Sequence, residues 1–322
     1  MGHRGSLYQE LENTRESFMA CTGICQAVEL DVFRLPKDGT LVVFHGSGTD
    51  ENPGLLDEYC TNANTLLLND NNDEKDDGRQ QRLVPRSILD LTYEQTQQLK
   101  FNINNPELAA PTDRILTGKI PTLEQVLMDM KSTGLEVKIE LKGKETARPV
   151  VELVDRLQMV DQVSFASFNH DEIITVRQMR PQTTTTVNER TSYVYRTGAL
   201  YNDHVPEDFI QHCQAIGASE IHLKYDTCTK ERIQAIHAAG MSSMCWMRGP
   251  VGMLEDIVEK YWDIGNEDET CYEVLVDTGV QQLCVNKPHV LLNYLNAREE
   301  LLKQQQQQSS QINGKRKPRK GE

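Results

Sequence analysis

From Ala27 to Phe33 the chain reads AVELDVF, and its positions alternate. Val28, Leu30 and Val32 fall on one side of an extended segment, Glu29 and Asp31 on the other. Similar short apolar or β-branched runs recur along the chain. They predict strands at TLVVFH (40–45), LEVKIELK (135–142), QVSFASF (162–168), TTTTVNE (183–189), SEIHLKYD (219–226), SSMCWMR (242–248) and QQLCVN (281–286). Between them lie helix-period segments. ENTRESFMACTG and PTLEQVLMDMKSTG come first, the latter with Pro121 in its first turn and Gly134 as a stop. KETARPVVELVDRLQM, DEIITVRQM, PEDFIQHCQAIGA and TKERIQAIHAAG follow. Strands that alternate with helices predict a parallel sheet with crossover helices. Six or more such units in about 300 residues predict an α/β fold of the (β/α)8 TIM type.

Two segments break the rhythm. Residues 69–82, NDNNDEKDDGRQQR, are acidic and aperiodic, which predicts a solvated surface loop within a single domain over 1–303. Residues 304–322 are Gln-rich and then basic, and are expected to be disordered. Their KRKPRK cluster is read as a solvated tail, with a targeting signal or contact with anionic lipid as the alternatives. In the leucine-rich stretch 55–68, an amphipathic helix packed on the barrel is preferred to an apolar rim open to lipid.

Charge narrows the function. The net charge is −14; the last twelve residues carry five bases and one acid, which leaves −18 for residues 1–310. So acidic a body repels phosphate backbones, and nucleic acid is not an expected partner. No run of 18 apolar residues is present to span a membrane. The eight cysteines contain no CxxC pair, and Cys21 and Cys25, although at helical spacing, have no histidine pair to complete a zinc set.

Glu29 and Asp31 pose a physical problem. Two like charges about 4 Å apart repel by roughly 4 kcal/mol near a protein surface. The strand VKIELK repeats the arrangement, with Lys138, Glu140 and Lys142 opposite Val137, Ile139 and Leu141. In a (β/α) barrel the inward residues at the strands' C-terminal ends converge on one mouth. Three carboxylates there, Glu29, Asp31 and Glu140, suit a hard divalent cation, Mg²⁺ or Ca²⁺, which would offset the repulsion. The alternative is that each acid pairs with an Arg or Lys. His3 in GHRG and His45 at the end of TLVVFH form a candidate acid/base pair, and Arg4 and Lys142 supply cations suited to a phosphate.

HRG (3–5), ENT (12–14), ELD (29–31), KDG with LVVFH (37–45), IPTLEQVL (120–127), IELK (139–142) and SFN (167–169) together resemble the glycerophosphodiester phosphodiesterase family in order and spacing, from residue 3 to about 290. The resemblance implies a (β/α) barrel with a divalent cation on Glu29, Asp31 and Glu140. It implies His3 and His45 as general base and general acid, Arg4 and Lys142 on the phosphate, and Trp246 against the glycerol. The implied reaction is hydrolysis of a small-molecule glycerophosphodiester to glycerol 3-phosphate and an alcohol; hydrolysis of lysophospholipids, with peripheral membrane contact, is the alternative. The chain departs from the family's pattern at Gly46, where the family has Asp, at Met247 and Arg248 after the tryptophan, and at VNKP (285–288) in place of Thr-Asp-x-Pro. Asp50 or Glu51 is the candidate substitute for the missing acid. Only Met1 and Gly2 precede HRG, so the first strand is expected to be frayed, or shortened by a lost leader; without such a leader the chain is expected in the cytoplasm. Two other classes remain open: an inactive barrel with a binding role, and an enolate lyase with Lys224 as base.

Overall fold

The computed structural model describes residues 1–7, 9–48, 52–56, 59–60, 62–63, 86–100, 119–181, 183–184, 191–192, 195–248 and 267–315. In chain order the elements are α1 (Arg15–Met19), β1 (Ala27–Arg34), β2 (Leu41–Val43), a short 3-10 turn (Ile88–Asp90), α2 (Tyr93–Thr96), α3 (Leu123–Met130), β3 (Glu136–Leu141), α4 (Ala147–Arg156), β4 (Val163–Ser167) and α5 (His170–Met179). Then come β5 (Thr183–Thr184), β6 (Thr191–Ser192), β7 (Thr197–Tyr201), α6 (Phe209–Ala215), β8 (Glu220–Lys224), α7 (Lys230–Ala238), β9 (Ser242–Trp246), α8 (Glu269–Asp277), β10 (Gln282–Cys284) and α9 (Pro288–Lys315).

Eight strands form one sheet in the order β10-β9-β8-β7-β4-β3-β1-β2. Every pairing in it is parallel except β1 with β2. The named strands therefore do not close on themselves. Met1–His3 lies between the free edge of β10 and the first residues of β1, which β2 leaves uncovered. Gly2 forms parallel bridges to both Val28 and Val285. Gly2 N–H donates to Ala27 (3.0 Å), Glu29 N–H to Gly2 (2.8 Å), His3 N–H to Val285 (2.9 Å) and Val285 N–H to Met1 (3.1 Å). Three residues thus satisfy two sheet edges, and the N-terminal segment is hydrogen-bonded on both sides rather than frayed.

The apolar faces behave as the alternation requires. Val28, Leu30 and Val32 of β1 and Val137, Ile139 and Leu141 of β3 are buried outward against Leu123, Val126 and Leu127 of α3 and Val150, Val151 and Val154 of α4. Helix α3 starts on a capping box, with Thr122 accepting from Gln125 N–H and the Gln125 side chain returning to Thr122 N–H. Inside the sheet, Lys138 is fully buried and pairs with Glu220, which also accepts from His222 Nε2 at 2.9 Å. Gly198 is what admits the His222 ring, since a Cβ there would lie 2.0 Å from Cε1.

Two expectations are corrected. Thr183–Thr184 does not join the main sheet; it pairs with Thr191–Ser192 in a separate two-stranded sheet, and 185–189 lie outside the described residues. The strand that belongs there is β7, TGALY, which is buried throughout and carries Gly198 where a side chain would collide with the His222 ring. Helix α9 continues to Lys315 through residues expected to be disordered. Extending an established helix costs little when the added residues are good helix formers such as Gln and Lys. The acidic segment 69–82 lies outside the described residues. Of the stretch 55–68, Leu56, Tyr59, Cys60 and Ala63 pack with Phe33, Phe44 and Ile88.

Candidate active site

The eight residues that the resemblance assigns to the site come together, although His45 follows β2, which runs antiparallel to β1. His3, Arg4, Glu29, His45, Glu140, Lys142 and Trp246 line one cavity of about 370 Å³. Asp31 lies directly behind it, because the β1–β3 register sets Asp31 opposite Glu140 and Glu29 opposite Lys138. Glu29, Asp31 and Glu140 each offer a carboxylate oxygen within 4.8 Å of the others.

Charge balance in this cluster is incomplete. Lys142 Nζ donates to Glu140 (2.9 Å) and forms an ion pair with Asp31 Oδ1 at 3.4 Å. Arg4 Nε stands 3.6 Å from Asp31, and Asn13 Nδ2 donates to the same carboxylate at 2.8 Å. Glu29 accepts the Arg4 main-chain N–H at 2.9 Å. Yet Glu29 Oε1 and Asp31 Oδ1 are buried with no hydrogen-bond partner. Burial and the neighbouring Asp31 and Glu140 charges push Glu29 well above the usual carboxylate range, and burial raises Glu140 too. Burial also works to raise Asp31, but the cations around it, Lys142 and Arg4 among them, hold it low. Three hard oxygen donors, among them the orphaned Glu29 Oε1, fit a divalent cation on chemical grounds. Ion pairing, the competing explanation, accounts for Asp31 and Glu140 but leaves Glu29 unneutralised.

Burial holds both imidazoles down, aided by the Arg4 charge: His3 to about 3, and His45 well below the ordinary histidine value. His3 Nε2 stands 3.9 Å from Glu29, and its Nδ1 is 2.7 Å from Asn286 Oδ1. His45 Nδ1 faces the Gly46 carbonyl, which can only accept; the proton therefore sits on Nδ1 and the lone pair on Nε2. Arg4 is buried, its Nη1 donating to both Glu12 oxygens at 3.1 Å and to the Tyr59 hydroxyl at 3.4 Å. Trp246 ends β9, meets Phe168 edge to face with ring centroids 5.6 Å apart, and donates from Nε1 to the Tyr201 carbonyl at 3.2 Å.

Lys224 is ion-paired with Asp203 (2.6 Å) and Asp226 (2.8 Å), which gives an enolate-forming base no support. Gly46 is explained by space. Its φ is +66°, and a Cβ would lie 2.6 Å from Gly54 Cα. Gly46→Asp is therefore expected to destabilise the fold by about 1–3 kcal/mol, a loss readable as a lower denaturation midpoint. An unchanged midpoint would contradict the close approach. Asp50 and Glu51, the candidate substitutes, lie outside the described residues.

The site also holds groups to which sequence reasoning gave no role. Glu12 and Asn13 belong to the ENT motif, and Asn286 belongs to VNKP, so both were flagged by position. Tyr59 had no such pointer and sits in a stretch read only for its leucines.

A search of curated proteins returned no match. Among solved structures, one assigned as a glycerophosphodiester phosphodiesterase from Galdieria sulphuraria is 22% identical, with a TM-score of 0.66, covering 92% of this chain and 96% of its own. A phosphodiesterase from Oleispira antarctica, in complex with the product sn-glycerol-3-phosphate, is 18% identical with a TM-score of 0.62, covering 92% and 95%. A glycerophosphodiester phosphodiesterase from Parabacteroides distasonis is 18% identical with a TM-score of 0.59, covering 92% and 96%. At these identities they show a shared fold. The family itself follows from the model of the glycerophosphoryl diester phosphodiesterase family, which matches residues 3–289, and the chain belongs to that family of enzymes.

Proposed function

We propose that this chain hydrolyses glycerophosphodiesters to glycerol 3-phosphate and an alcohol, with His3 as general base and His45 as general acid. The observation that carries the reading is the convergence of two imidazoles, Glu29, Glu140 and Lys142 on one cavity, with the Asp31 carboxylate close to both acids. Water adds to phosphorus as His3 takes its proton, the bond from phosphorus to the alcohol oxygen breaks, and His45 protonates that oxygen. A neutral His3 is ready to accept a proton. His45 must arrive charged, and the phosphodiester's negative charge favours this by opposing Arg4 and Lys142. Lys142, held at about 12 by Glu140 and Asp31 against the effect of burial, stays charged beside the phosphate. Arg4 adds its charge from a fixed orientation set by Glu12, and Trp246 offers an apolar wall to the glycerol.

Glu29, Asp31 and Glu140 would hold Mg²⁺ or Ca²⁺. Such an ion, when bound, supplies positive charge for the oxygens of the phosphoryl group. The scaffold in this reading is a (β/α)8 barrel over residues 1–303. Its eight parallel members are the Met1–His3 segment and β1, β3, β4, β7, β8, β9 and β10. No helix among the described residues is long and apolar enough to cross a membrane.

The test is a substrate panel on the purified chain, glycerophosphocholine against lysophosphatidylcholine, each with and without chelator. Expected is choline release from glycerophosphocholine that stops on chelation and returns with Mg²⁺ or Ca²⁺. Turnover indifferent to chelation, or none on any glycerophosphodiester, would contradict the proposal.

A further inference from the structure

Asn286 is fully buried and is committed at both ends. Its Nδ2 donates to the Arg248 carbonyl at 2.9 Å. A carbonyl oxygen only accepts, so the amide nitrogen must face Arg248 and Oδ1 must face His3. An amide oxygen also only accepts. At 2.7 Å from Oδ1, His3 Nδ1 must therefore carry a proton. Turned over, the amide would set Oδ1 against the Arg248 carbonyl, two acceptors face to face, and the backbone beneath it is pinned as well. The buried carboxylate of Glu267 accepts the N–H of Asn286 at 3.1 Å and of Lys287 at 2.9 Å, together with the Tyr272 hydroxyl at 2.8 Å. On the other side, the His3 N–H is bonded to Val285, next to Asn286.

We propose that Asn286 is the positioning residue that sets the tautomer of His3, with the proton on Nδ1 and the lone pair of Nε2 presented to the cavity beside Glu29. The chain Tyr272–Glu267–Asn286–His3 is thus a rigid support for one ring orientation. Asn286 stands where the family's pattern has Asp. It offers His3 the same kind of acceptor without a charge, and adds a donor that ties it to Arg248.

The catalytic consequence rests on the function proposed above, but the tautomer can be read without any turnover. In the ¹⁵N-histidine-labelled chain, with the His3 resonances identified by their loss in His3→Gln, Nδ1 is expected to show the protonated type of nitrogen shift. Asn286→Asp, which keeps an acceptor, is expected to retain that pattern and most of kcat. Asn286→Leu is expected to give a mixed tautomer and a kcat lower by roughly 10–100-fold with KM little changed, the usual size of a supporting-contact loss. An unprotonated Nδ1 in the wild-type chain would overturn the proposal even if no variant folded, and so would a folded Asn286→Leu with an unchanged His3 pattern. A wild-type chain with the expected pattern but no phosphodiesterase activity would instead count against the proposed function alone.

Discussion

Glu140→Gln is expected to lower chelator-sensitive turnover by about 10³-fold or more while the fold survives. The substitution keeps shape and an oxygen that can still accept from Lys142, whose Nζ bonds Glu140 at 2.9 Å. What it removes is one of three negative charges that share a small volume. A dication beside a phosphoryl group is worth several kcal/mol of barrier, and about 4 kcal/mol corresponds to close to 10³ in rate. The protein's own ion pairs are unable to stand in, because Lys142 then faces Asp31 alone and Glu29 keeps its orphaned oxygen. Steady-state kinetics with added Mg²⁺ or Ca²⁺, together with a denaturation curve, would read both halves of this expectation. A variant with near wild-type, chelator-sensitive rates would show that Glu140 holds no ion.

His45→Ala is expected to cost roughly 10²–10⁴ in kcat, the ordinary worth of a positioned acid or base. The more informative quantity is how that loss depends on the leaving group. If His45 protonates the departing alcohol, a substrate that releases a nitrophenolate needs no such help and should lose far less. Equal losses on choline and nitrophenyl substrates would remove His45 from the acid role. The geometry identifies the atom involved: the proton on Nδ1 is spent on the Gly46 carbonyl, which leaves Nε2 as the atom able to exchange one with substrate. The Tyr59 hydroxyl lies 3.3 Å from Nδ1 and Arg4 donates to that same hydroxyl, so this ring is held among fixed neighbours.

The site was more legible in the sequence than the sheet around it. Glu29, Asp31, Glu140 and Lys142 could be placed on one mouth because period-two alternation in two strands leaves a charged face only one way to point. Parallel pairing then aligns those faces, Asp31 opposite Glu140. The strand TGALY escaped notice for the opposite reason. Its Gly198 is chosen by the His222 ring across the sheet, a contact with no local trace. Likewise, the brevity of the N-terminal segment looked like a defect. Met1–His3 shares hydrogen bonds with Ala27 and Glu29 on one side and Val285 on the other, pairings that leave no trace in the local sequence. Gly46 is a case where a departure from the family's pattern has a steric cause, since the turn packs against Gly54 too closely for any side chain. The reach of α9 depended on a helix already nucleated upstream, which composition alone does not disclose.

The most direct measurement is anomalous diffraction from crystals of the chain soaked in Mn²⁺, an oxygen-seeking stand-in for the lighter dications. The expected result is one strong peak bounded by carboxylate oxygens of Glu29, Asp31 and Glu140, weakened by competing Mg²⁺ or Ca²⁺. A clean map at those carboxylates, with the ion bound elsewhere or not at all, would contradict the assignment.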